Sequence, residues 1–381
     1  MVLAALGSIA PVSVAAAPVS AGAAPASAAR AADTALDRAL VRFVRRPGGP
    51  PGIAVVVQRG RRAVLHRAGT ANVATGAPIR AFDSMRLASV SKAFSGAVAL
   101  SLVAHGILTL RDTVGQVLQG LPRTWSGVTL RELMQHTSGI RDYTDTDAFK
   151  HALQASLKKA PAPRVLVSFA PRKLKFRPGS RYHYSNTDNI IVGLMAAAAT
   201  GKSYARELHQ RVFAPLGLRR TRLPRGVALS RPYVHGYQVA PPGPPVDVSH
   251  FFAAGWAWAS GGIVSTPHDA NAFIRAYARG ATTSPAVRRA QFRFRPGNSE
   301  PPGPGVNSAG LSIFRYQTRC GTVYGHTGNI FGYTQFIAAT KNGSRSVVVS
   351  INAQITPKDD PARFRDLRRI DALAVCAALA R

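Results

Sequence analysis

The chain has 381 residues, 46% hydrophobic and 17% charged, which is a globular composition with length enough for a sizeable core in one domain or two lobes. Lys and Arg number 49 against 17 Asp and Glu, a formal charge of +32. That surplus fits either an anionic partner such as a cell-wall polymer or a compositional drift toward Arg, and no basic block is interleaved with aromatics as a nucleic-acid surface would require.

Residues 1–34 are almost wholly Ala, Val, Ser, Gly and Pro, and Val14-Ala15-Ala16-Ala17 and Ala26-Ser27-Ala28 read as signal-peptidase sites. This part is expected to be a signal peptide or disordered leader, and the protein to be secreted. Pro11, Pro18 and Pro25 interrupt the stretch too often for a bilayer span, and no later segment supplies one. A short helix is predicted over 35–45, then a Pro/Gly break at 47–52. A β-branched run at 53–58 turns at Gly60 into 63–68, a hairpin. From 94 to 105 the apolar pattern is helical, with Gly106 as its stop. The middle section holds helical pieces such as Leu130-Arg131-Glu132-Leu133-Met134 and 189–195, the latter closed by Gly201. Strand character returns at 321–324, 333–339 and 344–351, with Lys341-Asn342-Gly343 as a turn, and 367–381 reads as a closing helix. The predicted fold is therefore α/β: an antiparallel sheet built from N- and C-terminal segments and flanked by helices, with an inserted, mostly helical lobe. The sheet lobe is expected at 35–88 and 260–381, the helical lobe at 89–259. Two cysteines, Cys320 and Cys376, are an even count that in an exported chain predicts a disulfide rather than two buried thiols.

Three short motifs carry chemistry. Ser89-Val90-Ser91-Lys92 opens the apolar helix, and a spacing of three puts Lys92 beside Ser89 on one face. A serine hydroxyl needs a base to become a nucleophile, and a desolvated neutral lysine is one. Ser156-Leu157-Lys158-Lys159 matches the same pattern and reads as a solvated charge cluster. Tyr184-Ser185-Asn186 offers a phenol, held partly as phenolate beside a protonated lysine, and an amide with both donor and acceptor for a substrate. His326-Thr327-Gly328 falls on a strand, where the glycine admits a close backbone and Thr327 can donate to a carboxylate. Taken singly, each has a bland reading as an N-cap, a core aromatic or a structural histidine.

In this order and spacing the motifs resemble the serine β-lactamase and penicillin-binding hydrolases, whose related set is Ser-x-x-Lys, Ser-Asp-Asn and Lys-Thr-Gly. Tyr184 and His326 as lead residues resemble the branch of secreted D-alanyl-D-alanine carboxypeptidases and class C-type β-lactamases. His136-Thr137-Ser138-Gly139-Ile140, Gly261-Gly262-Ile263-Val264-Ser265-Thr266 and the run from Cys320 to Gly328 extend the likeness. The resemblance implies Ser89 as nucleophile, with Lys92 and Tyr184 handling protons. It implies Asn186, Thr327, His326 and Gly328 as substrate contacts, Ser89 and Asn329 as backbone oxyanion donors, and Trp256 as a cleft wall. The carboxypeptidases hold the substrate carboxylate with an Arg on the strand before the cysteine; here Phe314 takes that place and Arg315 follows it, so Arg315 is the expected ligand. The function implied is D-alanyl-D-alanine carboxypeptidase, taking a peptidoglycan stem peptide or a β-lactam. The rivals are a β-lactamase, esterase or D-amino-acid amidase of the same fold, and an inactive wall-binding protein. No cofactor or metal is expected: His136, His183, His209, His235 and His326 lack zinc-ligand spacing.

Overall fold

The computed structural model describes residues 23–380. Residues 1–22 of the expected leader lie outside the described residues, and the rest of it is helical. Helix α1 (Ala23–Arg45) runs through position 34 without a break. Leu36, Leu40 and Phe43 recur at helical spacing and are buried on the sheet. Asp33 accepts a hydrogen bond from Arg59 Nη1 at 3.1 Å, so the folded domain begins before residue 35. Ala-rich sequence suits a leader and is also the best helix former, so the same composition accommodates a helix that reaches back to Ala23.

Strands β1 (Gly52–Arg59) and β2 (Arg62–Gly69) form the predicted hairpin. Helices α2 (Ser91–Ala104), α3 (Asn186–Thr200) and α4 (Pro267–Arg279) follow, with shorter helices between them making the lobe. Then come β3 (Arg295–Pro296), β4 (Val306–Ala309), β5 (Phe314–Thr318), β6 (Gly321–Ile330), β7 (Tyr333–Ala339) and β8 (Arg345–Ile351), closed by helix α5 (Pro361–Leu379). The strands make one antiparallel sheet in the order β2-β1-β8-β7-β6-β5-β4-β3. Val55 lies opposite Val349, so the first hairpin of the chain pairs with its last strand. The closing helix starts at Pro361 rather than 367, because Asp360 caps it, accepting from the Arg363 N–H at 2.8 Å, and proline suits a first turn.

Both faces of the sheet are covered, so β1 reads as a continuous apolar run rather than an alternation. Ile53, Val55, Val57, Val347, Val349 and Ile351 pack against α1 and α5. Val56, Ile337 and Val348 face the other way, toward Phe94 of α2 and Phe273 of α4. Residues 91–102 of α2 are all buried, so this helix has no polar stripe and is the spine between sheet and lobe. The disulfide joins Cys320, in the β5–β6 turn, to Cys376 of α5, with Cα atoms 5.1 Å apart. No helix among the described residues is long and apolar enough to cross a membrane.

Candidate active site

Ser89 lies in a single 3-10 turn, Ala88–Val90, that runs directly into α2. Ala88 adopts φ +51°, a left-handed conformation that costs an alanine about 1–2 kcal/mol. The surroundings hold it there: the Leu87 N–H donates to Ile263 O at 2.9 Å, and Gln335 Nε2 donates to Arg86 O at 3.2 Å. The apolar helix behind the turn fixes its position, and the strained residue lifts the serine out of the regular helix.

Lys92, one turn on, is wholly buried. Its Nζ lies 2.9 Å from Ser89 Oγ, 2.7 Å from Asn186 Oδ1 and 2.8 Å from Ser260 O. Burial pushes its ammonium down to about 7, against the opposing pull of Asp142, Glu300 and Asp188. As a neutral amine it keeps two N–H donors for Asn186 and Ser260, and turns its lone pair to the Ser89 hydroxyl.

Tyr184 stacks its ring 4.9 Å from Lys92 Nζ and is 4% exposed, and its Oη has no hydrogen-bond partner among the described residues. Burial drives the phenol well above its ordinary range, with Ser89 partly offsetting this. The expected phenolate is thus replaced by a neutral phenol, since little in this pocket solvates an anion. Asn186 is the first residue of α3, and its side chain is engaged within the protein. Its Oδ1 is taken by Lys92, and its Nδ2 and backbone N–H both donate to Asp142 Oδ2 at 2.8 Å. Asn186 is a positioning residue in this arrangement, and Asp142 is its anchor. Behind them His136 Nδ1 lies 3.0 Å from Asp188 Oδ2, and Ser138 Oγ donates to Asp188 Oδ1, which ties the 136–140 loop to α3.

The third motif runs along β6. His326 is buried and held neutral, its pKa lowered to about 3 first by burial and then by Lys92. The Thr327 hydroxyl, expected to meet a carboxylate, donates to Pro301 O at 2.6 Å. Gly328 admits a close backbone, but the backbone is the protein's own: a Cβ there would stand 2.4 Å from Leu87 O and 3.2 Å from Ser89 N. This contact brings the edge of β6 beside the Ser89 N–H, and Asn329 lines the cleft together with Ser89. The Asn329 side chain is turned aside, donating to Ile355 O.

The cleft at Ser89 holds about 290 Å³ and is walled by Tyr143, Phe149, Leu153, Phe252, Trp256 and Phe331. Trp256 is the expected wall, fixed by its Nε1 donating to Ser156 O at 3.0 Å. Arg315 does not reach the cleft. It neighbours Tyr324 across β6, donates Nε to Ser308 Oγ at 2.9 Å and lies over the Phe294 ring. Phe314, one residue earlier, points to the opposite face and meets the His326 ring at 5.0 Å. Ser156 ends a helix with Lys159 exposed beyond it, so the second Ser-x-x-Lys forms no buried pair. Asp142, which holds Asn186, and Ser260 and Phe331, which line the cleft, are residues that sequence reasoning missed. Only the Asp-Tyr pair 142–143, just after the 136–140 loop, gave any local signal.

The Beta-lactamase family matches residues 37–372. The chain belongs to that family. A penicillin-binding protein of Bacillus subtilis (strain 168) is 29% identical over 177 residues, 45% of this chain and 38% of that protein. A D-aminopeptidase of Brucella anthropi is 33% identical over 201 residues, 52% of this chain and 37% of that protein. The chain thus spans well under half the length of these relatives. Among solved structures, a D-stereospecific amidohydrolase from Streptomyces superposes with a TM-score of 0.75 at 28% identity, covering 84% of this chain and 94% of that one. A D-amino acid amidase from Ochrobactrum anthropi shares the fold, with a TM-score of 0.80 at 23% identity over 91% of this chain and 98% of that one. The family's serine hydrolase fold accounts for the convergence of the three motifs on one cleft.

Proposed function

We propose that this protein is an exported serine amidohydrolase that cleaves amides of apolar D-aminoacyl groups through an acyl-enzyme on Ser89. The observation that carries the reading is the wholly buried Lys92, its Nζ shared among Ser89 Oγ, Asn186 Oδ1 and Ser260 O. The Ser89 hydroxyl gives its proton to the Lys92 lone pair as Oγ bonds to the substrate carbonyl carbon. The carbonyl oxygen takes the negative charge beside the Ser89 and Asn329 backbone. The proton passes to the leaving nitrogen, with the Tyr184 phenol as relay, and the C–N bond breaks. Water then repeats the sequence, and hydrolysis of the ester releases the acid and restores Ser89.

The aromatic lining supports an apolar acyl group, since Phe149, Leu153 and Trp256 give it little to hydrogen-bond. The D-configuration and amide chemistry rest on what the relatives act on. The carboxypeptidase reading expected from the motifs loses its two carboxylate ligands, Arg315 and Thr327, to contacts inside the protein. β-Lactams are expected to acylate the same serine. Export is supported by the small-residue N-terminus and the disulfide.

The test is to incubate the purified protein with D- and L-phenylalanine p-nitroanilide and, separately, with penicillin G. The D-anilide should be hydrolysed in preference, and a penicillin adduct should map to Ser89 by mass spectrometry. Release of nitroaniline from neither anilide, or equal rates for both hands, would reject the substrate assignment. An adduct that persists in Ser89→Ala would reject the nucleophile.

A further inference from the structure

Arg86 is 2% exposed and stands three residues before Ser89. Its backbone sits in a short ladder, Met85–Arg86 against Val264–Ser265, that leads into the nucleophile turn. Among the described residues no carboxylate pairs with its guanidinium. Nη2 instead donates to three backbone carbonyls: Val227 O at 2.9 Å, Ser249 O at 3.1 Å and Phe252 O at 3.2 Å. The guanidinium carbon lies 5.2 Å from the centre of the Phe252 ring, and Nε is buried without a partner among the described residues. Arginine stays protonated, so this is a buried charge compensated by carbonyl dipoles and one aromatic face. Such a charge is costly to keep. The carbonyls it serves lie outside any strand or helix, where no ladder satisfies them.

The aromatic residues of the cleft are held by two separate sets of bonds. Trp256 is tied to the helical lobe, its Nε1 donating to Ser156 O at 3.0 Å and its carbonyl accepting from Tyr143 Oη at 2.8 Å. Phe252 has its carbonyl on Arg86, and Phe331 packs on its ring with centroids 5.5 Å apart. Both phenylalanines line the cleft with Ser89. The nucleophile turn does not depend on the guanidinium. Its own bonds run from the Leu87 N–H to Ile263 O and from Gln335 Nε2 to the Arg86 carbonyl. Loss of the Arg86 side chain therefore releases the Phe252–Phe331 wall and leaves Ser89 in place.

We propose that Arg86 is a positioning residue that sets acyl-group selectivity: it fastens the Phe252–Phe331 wall to the ladder leading into the nucleophile turn, and so fixes the room offered to a bulky apolar acyl group. This rests on the Ser89 acyl-transfer reading. It deepens that reading by assigning one wall of the cleft to a buried residue that does not itself line it.

Two esters with one leaving group test it, p-nitrophenyl acetate and p-nitrophenyl 3-phenylpropanoate. The acetate offers the cleft a methyl group, and the longer ester has a ring to place against the wall. The wild type should prefer the longer ester in kcat/KM. Arg86→Met, which removes the donors at similar length, should lower kcat/KM for the longer ester by about tenfold or more and leave the acetate within about twofold. Arg86→Lys keeps the charge on a shorter side chain and should lose part of the preference. The Lys variant carries the test if thermal melting shows that Arg86→Met does not fold. Equal losses on the two esters, as a general loosening of the fold would give, or an unchanged preference in the folded variants, would overturn the inference. Intact mass after each ester separates the two levels. A wild type that neither ester labels removes the acyl-transfer reading itself. Folded variants that are labelled with the wild-type preference remove Arg86 alone.

Discussion

Gly328→Ala is the sharpest probe of how the site is assembled. The added Cβ would stand 2.4 Å from Leu87 O, 3.1 Å from the Ala88 Cβ and 3.2 Å from Ser89 N. An ordinary carbon–oxygen contact needs about 3.3 Å, so β6 and the nucleophile turn must separate by roughly 0.9 Å. Neither side yields easily. Leu87 is bonded to Ile263, and β6 is paired with β7 from Tyr324 to Ile330. Whatever moves carries Ser89 or the facing edge of β6 with it. A misplacement near 1 Å costs about a hundredfold in rate, so acylation by p-nitrophenyl acetate should fall by about that factor. Gly127→Ala is the control, because a Cβ there meets nothing within 4 Å and the rate should not change. Stopped-flow release of nitrophenolate measures the burst, and thermal melting checks that both variants are folded. A folded Gly328→Ala protein that acylates within about threefold of wild type would refute the claim that this contact sets the geometry of Ser89.

Three further outcomes are expected. Acylation by the neutral ester should rise with pH through an inflection near 7, because burial lowers Lys92 to that value and only the unprotonated amine can accept the serine proton. A profile flat between about pH 5 and pH 9 would exclude Lys92 as the base. Arg315→Ala should leave the ratio of rates on free-carboxylate and amidated peptides within about twofold, since the guanidinium lies over Phe294; a selective loss on the free acid would restore the carboxypeptidase reading. Replacing Cys320 and Cys376 together by Ala should lower the melting temperature by about 5 °C, from about 4 kcal/mol of loop entropy across 56 residues of sequence. An unchanged melt in the double variant would show that α5 is held by packing alone.

Much of the frame was legible from local pattern. The hairpin at β1 and β2, the apolar helix after Ser89, the glycine stop at Gly201 and the strands β7 and β8 each follow from periodicity and turn residues a few positions apart. The pairing of Ser89 with Lys92 was legible for the same reason, since one helical turn fixes their distance without help from the rest of the chain. Other features depended on segments far apart in sequence. Asn186 presents its amide to Lys92 because Asp142, 44 residues earlier, takes its N–H groups. Thr327 is spent on Pro301, 26 residues earlier, and Arg315 falls on the outer face because β5 pairs with β6 in one register and not the next. Local sequence sets which groups can be donors, acceptors or bases. Which of them are already satisfied inside the fold, and which face a substrate, is decided by burial and register. That is why the motifs pointed to the Ser89–Lys92 pair, while only the packed structure decided that Arg315 and Thr327 are engaged inside the protein.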